Sequence, residues 1–97
     1  MTLRLGINGF GRIGRLVLRA ASERKDVEVV AINDIMEVEQ LAYLLKYDST
    51  HGRFNGTVSV EDGVLYVNNR PIRATKETQP EHLDWGTLKV DVVIEGT

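Results

Sequence analysis

Residues 3–14 read LRLGINGFGRIG, in which a short apolar run ends at Asn8. Gly9, Gly11 and Gly14 follow at G-x-G-x-x-G spacing, which is a dinucleotide-binding fingerprint when a strand precedes it and a helix follows. Gly9 allows a tight turn, Gly11 lets the backbone approach a pyrophosphate, and Gly14 lets the helix pack closely on the strand. The free N–H groups at the start of such a helix favour a bound phosphate. The spacing alone is weak evidence, because 9 of the 97 residues are glycine.

The segment after the glycines has the periodicity of an amphipathic helix. Its apolar residues recur at i, i+3, i+4 spacing, and its arginines fall on the other faces. The residues predicted to form the apolar face are Ile13, Leu16, Val17, Ala20 and Ala21.

A second strand and a carboxylate complete the pattern. Residues 29–32 (VVAI) predict a buried parallel strand, which ends at Asn33 and Asp34. Asp34 lies about 20 residues beyond Gly14, where the fingerprint expects a carboxylate for the adenosine ribose hydroxyls. Asp34 could instead cap the next helix, and the two roles can coexist. Together these features predict a dinucleotide site.

Three blocks of sequence resemble phosphorylating glyceraldehyde-3-phosphate dehydrogenase, in the order and at the spacing of that family. They are residues 8–15 (NGFGRIGR), 30–34 (VAIND) and 47–52 (YDSTHG). Trp85-Gly86 and Ile94-Glu95 extend the resemblance over essentially the whole chain. The resemblance implies an α/β fold with a Rossmann-type doubly wound parallel sheet, truncated after about the fourth parallel strand and carrying an inserted β-hairpin. It also implies NAD as the cofactor.

The resemblance assigns roles within the cofactor site. The backbone N–H groups of Arg12 and Ile13 would bind the pyrophosphate, and Asp34 would accept hydrogen bonds from the adenosine ribose. Thr78 matches a position near the adenine where the family more often has a basic residue. Gly96 replaces the commoner serine or cysteine and would leave the backbone free to approach the cofactor. The predicted cofactor-binding residues are Asn8, Gly9, Phe10, Gly11, Arg12, Ile13, Gly14, Asn33, Asp34, Thr78, Gly96 and Thr97.

Composition narrows the class of protein. Hydrophobic content of 42% and charged content of 27% are ordinary for a soluble domain, and we expect a cytoplasmic protein. The net charge of −2 gives no reason to expect nucleic acid or an anionic membrane as a partner. The chain has no cysteine, so it offers no thiolate nucleophile, no disulfide and no cysteine-based metal site. The family's catalytic cysteine and histidine belong, by resemblance, to later sequence, and we predict structural or surface roles for His51 and His82.

The rest of the chain predicts one helix, one hairpin and one more parallel strand. Glu37 begins a helical pattern whose apolar positions include Leu41 and Leu45. Asp62-Gly63 predicts a two-residue turn in which Val60 opposes Leu65 and Val58 opposes Val67. A short strand follows from Pro71 to Thr75. These hairpin residues have no assigned chemistry.

Residues 88–94 predict a buried parallel strand, the fourth in the doubly wound order 3-2-1-4-5-6. Strands 1 and 4 would then form both walls of the cofactor crevice. We interpret residues 1–97 as the amino-terminal part of an NAD-binding domain, with the substrate domain absent from this chain. A chain that ends on a buried strand would leave apolar surface uncovered.

The favoured function is therefore the NAD-binding portion of an enzyme that oxidises glyceraldehyde 3-phosphate with inorganic phosphate. By resemblance, the intact enzyme would take a small phosphorylated aldehyde and would be a homotetramer. Erythrose-4-phosphate dehydrogenase is an alternative, although Asp34 and the order Ser49-Thr50 favour the glyceraldehyde enzyme. A non-catalytic Rossmann module that senses the dinucleotide is a second alternative.

Overall fold

The computed structural model describes residues 2–47, 54, 56–79 and 85–96. His51, His82 and Thr97 lie outside these residues, so the predictions for them stay predictions. Within the described part of the chain, two helices and six strands follow one another in the order β1 (Leu3–Asn8), α1 (Arg12–Ser22), β2 (Val27–Asn33), α2 (Val38–Tyr47), β3 (Val58–Glu61), β4 (Val64–Val67), β5 (Arg70–Thr75) and β6 (Val92–Glu95).

All six strands belong to one mixed sheet, whose spatial order is β3-β4-β5-β2-β1-β6. The pairs β5–β2, β2–β1 and β1–β6 are parallel. These four strands therefore have the spatial order 3-2-1-4 of a doubly wound sheet, which confirms the predicted fold class. The point where the order reverses lies between β1 and β6, at their carboxyl ends.

The predicted hairpin register is confirmed, since Val60 opposes Leu65 and Val58 opposes Val67. The turn residues Asp62 and Gly63 have φ values of 52° and 77°, and a tight hairpin turn of type I′ requires positive φ at both positions. The hairpin does not stand apart from the parallel strands. Because β5 pairs antiparallel with β4 and parallel with β2, the hairpin extends the same sheet.

The predicted apolar face of α1 is wrong in part. Ile13 and Leu16 are 55% and 46% exposed, whereas the buried residues of the helix are Gly14, Leu18 and Ala21. A Cβ atom on Gly14 would lie 2.6 Å from the carbonyl oxygen of Gly9, so Gly14 must face the strand. This contact fixes the rotation of the helix and buries the i, i+4, i+7 series that begins at Gly14.

The last strand is shorter and more exposed than predicted. It begins at Val92, because a turn over residues 85–89 precedes it and Lys89 has a φ of 58°. Val92 and Val93 are 41% and 36% exposed, since β6 is an edge strand of the described sheet. Its parallel pairing with β1 is as predicted.

The core lies between one face of the sheet and the two helices. Leu41 and Leu45 of α2 are fully buried, as the sequence pattern predicts, and they join a cluster that includes Ile7, Ile32 and Leu65. A helix of about 18 or more apolar residues is needed to cross a bilayer. Neither of the two helices in the described ranges is long and apolar enough to do so.

Candidate functional site

The glycine loop between β1 and α1 is held by backbone contacts on both sides. Gly9 has a φ of 93°, and its N–H donates to the carbonyl oxygen of Asn33 at 2.7 Å. The N–H of Gly11 donates to the carbonyl oxygen of Gly96 at 3.0 Å. The loop is therefore fixed to the ends of β2 and β6, the two strands that flank β1.

The amino terminus of α1 is suited to an anion. Its N-cap residue is Gly11, which provides no side-chain cap, and the first turn contains no acidic residue. The bond from the Arg15 N–H to the Gly11 carbonyl, 3.0 Å, begins the helix, so the N–H groups of Arg12, Ile13 and Gly14 precede it. Arg12 and Arg15 lie at the positive end of the helix dipole, where a bound anion would offset their unfavourable placement. These features fit the phosphates of a dinucleotide.

Asp34 connects the glycine loop to the segment before α2. Its Oδ2 accepts a hydrogen bond from the Phe10 N–H at 2.7 Å, and its Oδ1 accepts one from the Met36 N–H at 3.0 Å. The alternative that Asp34 caps α2 is wrong, because the Glu37 carbonyl accepts the first helical N–H bonds and the Gln40 side chain accepts the Glu37 N–H. A carboxylate has about four lone-pair sites, so the half-buried Asp34 retains capacity for a ribose hydroxyl.

A chain of side-chain hydrogen bonds runs along the carboxyl ends of the four parallel strands. The Nδ2 of Asn8 donates to both carboxylate oxygens of Glu95 at 3.1 Å, and its Oδ1 accepts from the Nδ2 of Asn33 at 2.9 Å. The Oδ1 of Asn33 accepts from the Thr75 hydroxyl at 2.6 Å. The Asn33 carboxamide also bonds to both backbone groups of Glu77. The strands β6, β1, β2 and β5 are thereby joined at the edge where dinucleotides bind.

This chain of contacts limits how Asn33 could take part in the predicted cofactor site. Its side chain makes two donor and two acceptor contacts within the protein, which is the full capacity of a carboxamide. Asn33 is 4% exposed, so a direct side-chain contact with cofactor would require breaking one of these bonds. Sequence reasoning missed Thr75, Glu77 and Glu95. The feature that could have indicated these residues is their position at or just beyond the ends of strands that lie side by side in the folded sheet.

The structure also shows which groups of Phe10 and Gly96 could border the cofactor, which stays a prediction for both residues. The Phe10 side chain is fully buried in the core, so only its backbone is available at the cofactor edge. A Cβ atom on Gly96 would lie 2.5 Å from the Gly9 carbonyl oxygen and 2.7 Å from the Gly14 nitrogen. The missing side chain of Gly96 therefore admits the glycine loop itself. The approach of the Gly96 backbone to the cofactor stays a prediction.

The remaining predicted residues lie around the same edge. Arg12 and Ile13 are exposed at the start of α1. Thr78 is exposed in the segment that follows β5. A cavity of about 370 Å³ lies elsewhere, between the carboxyl end of α1 and the amino-terminal half of β2, and none of the predicted site residues lines it. Ligands of open parallel sheets bind beyond the carboxyl ends of the strands, so that edge is the better candidate.

The sheet order, the glycine loop and the uncapped helix terminus define a dinucleotide-binding Rossmann-type domain. Residues 3–97 match the family model described as glyceraldehyde 3-phosphate dehydrogenase, NAD binding domain. The chain belongs to this family, and its cofactor is NAD. It is 62% identical over all 97 residues to glyceraldehyde-3-phosphate dehydrogenase of Shimwellia blattae, and 60% identical over the same length to that of Haemophilus influenzae and to glyceraldehyde-3-phosphate dehydrogenase A of Escherichia coli K12. In each case the chain spans 29% of the relative's length.

Proposed function

We propose that this chain forms the adenosine and pyrophosphate half of the NAD site of a phosphorylating glyceraldehyde-3-phosphate dehydrogenase. The observation that carries the proposal is the uncapped, acid-free start of α1, which a loop fixed by Gly9, Gly11 and Gly96 presents beside Asp34. NAD supplies a hydride acceptor when it is bound. The part of this chain is to hold and orient that cofactor at the reversal point of the sheet.

The proposed contacts follow from which groups remain available. The N–H groups of Gly9, Phe10 and Gly11 are bonded within the protein. Those of Arg12, Ile13 and Gly14 precede the first intrahelical bond, and of these we assign the N–H groups of Arg12 and Ile13, which lie nearest the helix start, as donors for the pyrophosphate. Asp34 holds the loop and accepts from the ribose, while the Thr78 segment borders the adenine. Gly96 and Thr97 border the cofactor at the end of β6.

The proposed overall reaction is that of the family. An aldehyde, inorganic phosphate and NAD would yield an acyl phosphate, NADH and a proton, by way of a thioester on a cysteine. The chain contains no cysteine, so the nucleophile would come from sequence outside these 97 residues. A cytoplasmic location and a homotetrameric assembly are parts of the same proposal, and both rest on family membership.

The test measures NADH formation by the full-length protein with glyceraldehyde 3-phosphate and with erythrose 4-phosphate. We expect phosphate-dependent activity with glyceraldehyde 3-phosphate and a lower kcat/KM with the four-carbon sugar. The purified 97-residue chain serves as the matched control and should be inactive. Activity of that chain alone would contradict the proposed location of the nucleophile, and a preference for erythrose 4-phosphate would overturn the substrate assignment. A full-length protein that binds NAD but oxidises neither aldehyde would favour the sensing module.

A further inference from the structure

The Asn33 carboxamide holds more than its own strand. Both backbone groups of Glu77 bond to it: the Glu77 N–H donates to Oδ1 at 2.8 Å, and the Asn33 Nδ2 donates to the Glu77 carbonyl at 2.9 Å. Glu77 lies two residues beyond the end of β5, outside the backbone ladder of the sheet. The buried Asn33 side chain thus gives the Glu77 backbone the donor and the acceptor that a neighbouring strand would otherwise provide.

Other contacts hold the same segment, residues 76–79, against the site. Lys76 forms an ion pair with Glu37 just before α2, and the Gln79 N–H donates to the carboxylate of Glu77 at 3.1 Å. The Asp34 N–H donates to the Thr75 carbonyl at 3.0 Å. Asp34, the candidate ribose-binding residue, is therefore bonded to the residue that directly precedes this segment. The ion pair and the carboxylate contact are exposed and are worth little in water, whereas the Asn33 bonds are buried.

We infer that Asn33 is a positioning residue, which fixes residues 76–79 and therefore Thr78 as the wall of the adenosine half of the site. The inference rests on the proposed placement of the cofactor at this edge. Asn33 acts through the Glu77 backbone and does not touch the cofactor with its side chain. For a ligand that needs this segment in place, the apparent dissociation constant equals the intrinsic dissociation constant divided by the fraction of molecules in which the segment is in place. Loss of the Asn33 bonds lowers that fraction.

The experiment measures the dissociation constant of AMP by calorimetry on the full-length protein, well below its melting temperature. We expect Asn33→Ala to raise the constant about 5- to 20-fold, on the order of what one or two lost hydrogen bonds give. Thr75→Val removes a single bond to Asn33 at nearly unchanged volume, so we expect a rise of about 2- to 5-fold. This second variant decides the question if Asn33→Ala does not fold.

Ile72→Ala is the matched control, because Ile72 is buried in β5 and pairs with Leu65 of β4, whereas Thr75 is the β5 residue that pairs with Asn33. We expect it to lower stability as much as Asn33→Ala while leaving AMP affinity within about twofold, since it removes only core packing. Hydrogen exchange of the Glu77 amide gives a second readout and should be faster in Asn33→Ala and Thr75→Val than in Ile72→Ala.

Two results would overturn the inference. One is AMP affinity that falls equally in Ile72→Ala and Asn33→Ala, and the other is Glu77 exchange that is unchanged by the Asn33 and Thr75 substitutions. Failure of the proposed cofactor site is distinguishable, because the unmodified protein would then bind neither AMP nor NAD. In that case the Glu77 exchange rates still decide whether Asn33 fixes the segment.

Discussion

Gly14→Ala tests whether the close packing of α1 against the glycine loop outweighs the intrinsic helix preference for alanine over glycine. In an exposed helix interior, alanine is more stable than glycine by about 1 kcal/mol. At Gly14 a Cβ atom would lie 2.6 Å from the Gly9 carbonyl oxygen and 2.9 Å from the Ile7 Cγ2. Neither neighbour can yield freely, because Gly9 is bonded to Asn33 and Ile7 is fully buried. Such overpacking costs about 1–3 kcal/mol or more, so clash and helix preference have opposite signs.

We expect the clash to outweigh the helix preference, with a net loss of up to about 2 kcal/mol in the free energy of unfolding. For a domain of about 60–100 residues, each 1 kcal/mol of lost stability lowers the melting temperature by about 4–8 °C. NAD affinity should fall as well, because relief of the clash moves the loop that precedes the Arg12 and Ile13 N–H groups.

Urea denaturation followed by circular dichroism measures the change, with an unchanged m value showing that only stability has altered. Ala20→Gly is the matched control, because Ala20 is exposed on the same helix and should follow the ordinary helix preference, with a loss of up to about 1 kcal/mol. If Gly14→Ala were instead more stable than the unmodified protein, the close approach of α1 to the glycine loop would be wrong.

Three further predictions follow from named contacts. Hydrogen bonds from the Arg24 side chain lower the pKa of Asp26 from 3.8 to about 2. The stability that the ionised Asp26 contributes is therefore present above about pH 4 and is lost as the pH falls toward 2. The NMR shifts of the Asp26 carboxyl group should titrate near 2, and a midpoint near 4 would show that the pair does not form in solution. Arg19 donates to the Leu45 carbonyl at 2.8 Å in the last turn of α2, so Arg19→Ala should cost about 1–3 kcal/mol in urea denaturation, and a loss near zero would contradict the contact. Arg12→Ala should change NAD affinity by less than about tenfold, because the backbone N–H is retained; a larger loss by calorimetry would assign the phosphate contact to the side chain.

The sheet and its hairpin could be predicted because their determinants are local. Asp62-Gly63 specifies a turn type, and that turn fixes the register in which Val58 opposes Val67 and Val60 opposes Leu65. The order of the parallel strands follows from the glycine fingerprint and the strand spacing. These features need no knowledge of side chains that meet across the fold.

The rotation of α1 and the contacts of Asn33 could not be predicted, because distant residues determine them. Ile13 and Leu16 satisfy helical periodicity as well as Leu18 does, and only the contact between Gly14 and Gly9 selects the buried series. The surroundings of Asn33 come from β1, β5 and the residue two beyond β5. The predicted strand order places these strand ends side by side, but it does not say which side chains at those ends form hydrogen bonds with one another.

The most direct test of the proposed site compares the dissociation constants of NAD and NADP for the full-length protein. Asp34 accepts from Phe10 and Met36, which holds its carboxylate at the strand end where the ribose is expected. A hydrogen bond to a charged group contributes about 1.5–3 kcal/mol, so losing it predicts about a ten- to hundredfold preference for NAD. The phosphate of NADP, with a charge of about −1.5 to −2, adds repulsion to that loss.

Calorimetry should therefore give at least about tenfold tighter binding of NAD, and Asp34→Asn should narrow the difference while leaving one acceptor for the loop. Equal affinity for NAD and NADP in the unmodified protein, or an Asp34→Asn variant with an unchanged preference, would show that Asp34 only supports the loop and that the ribose lies elsewhere.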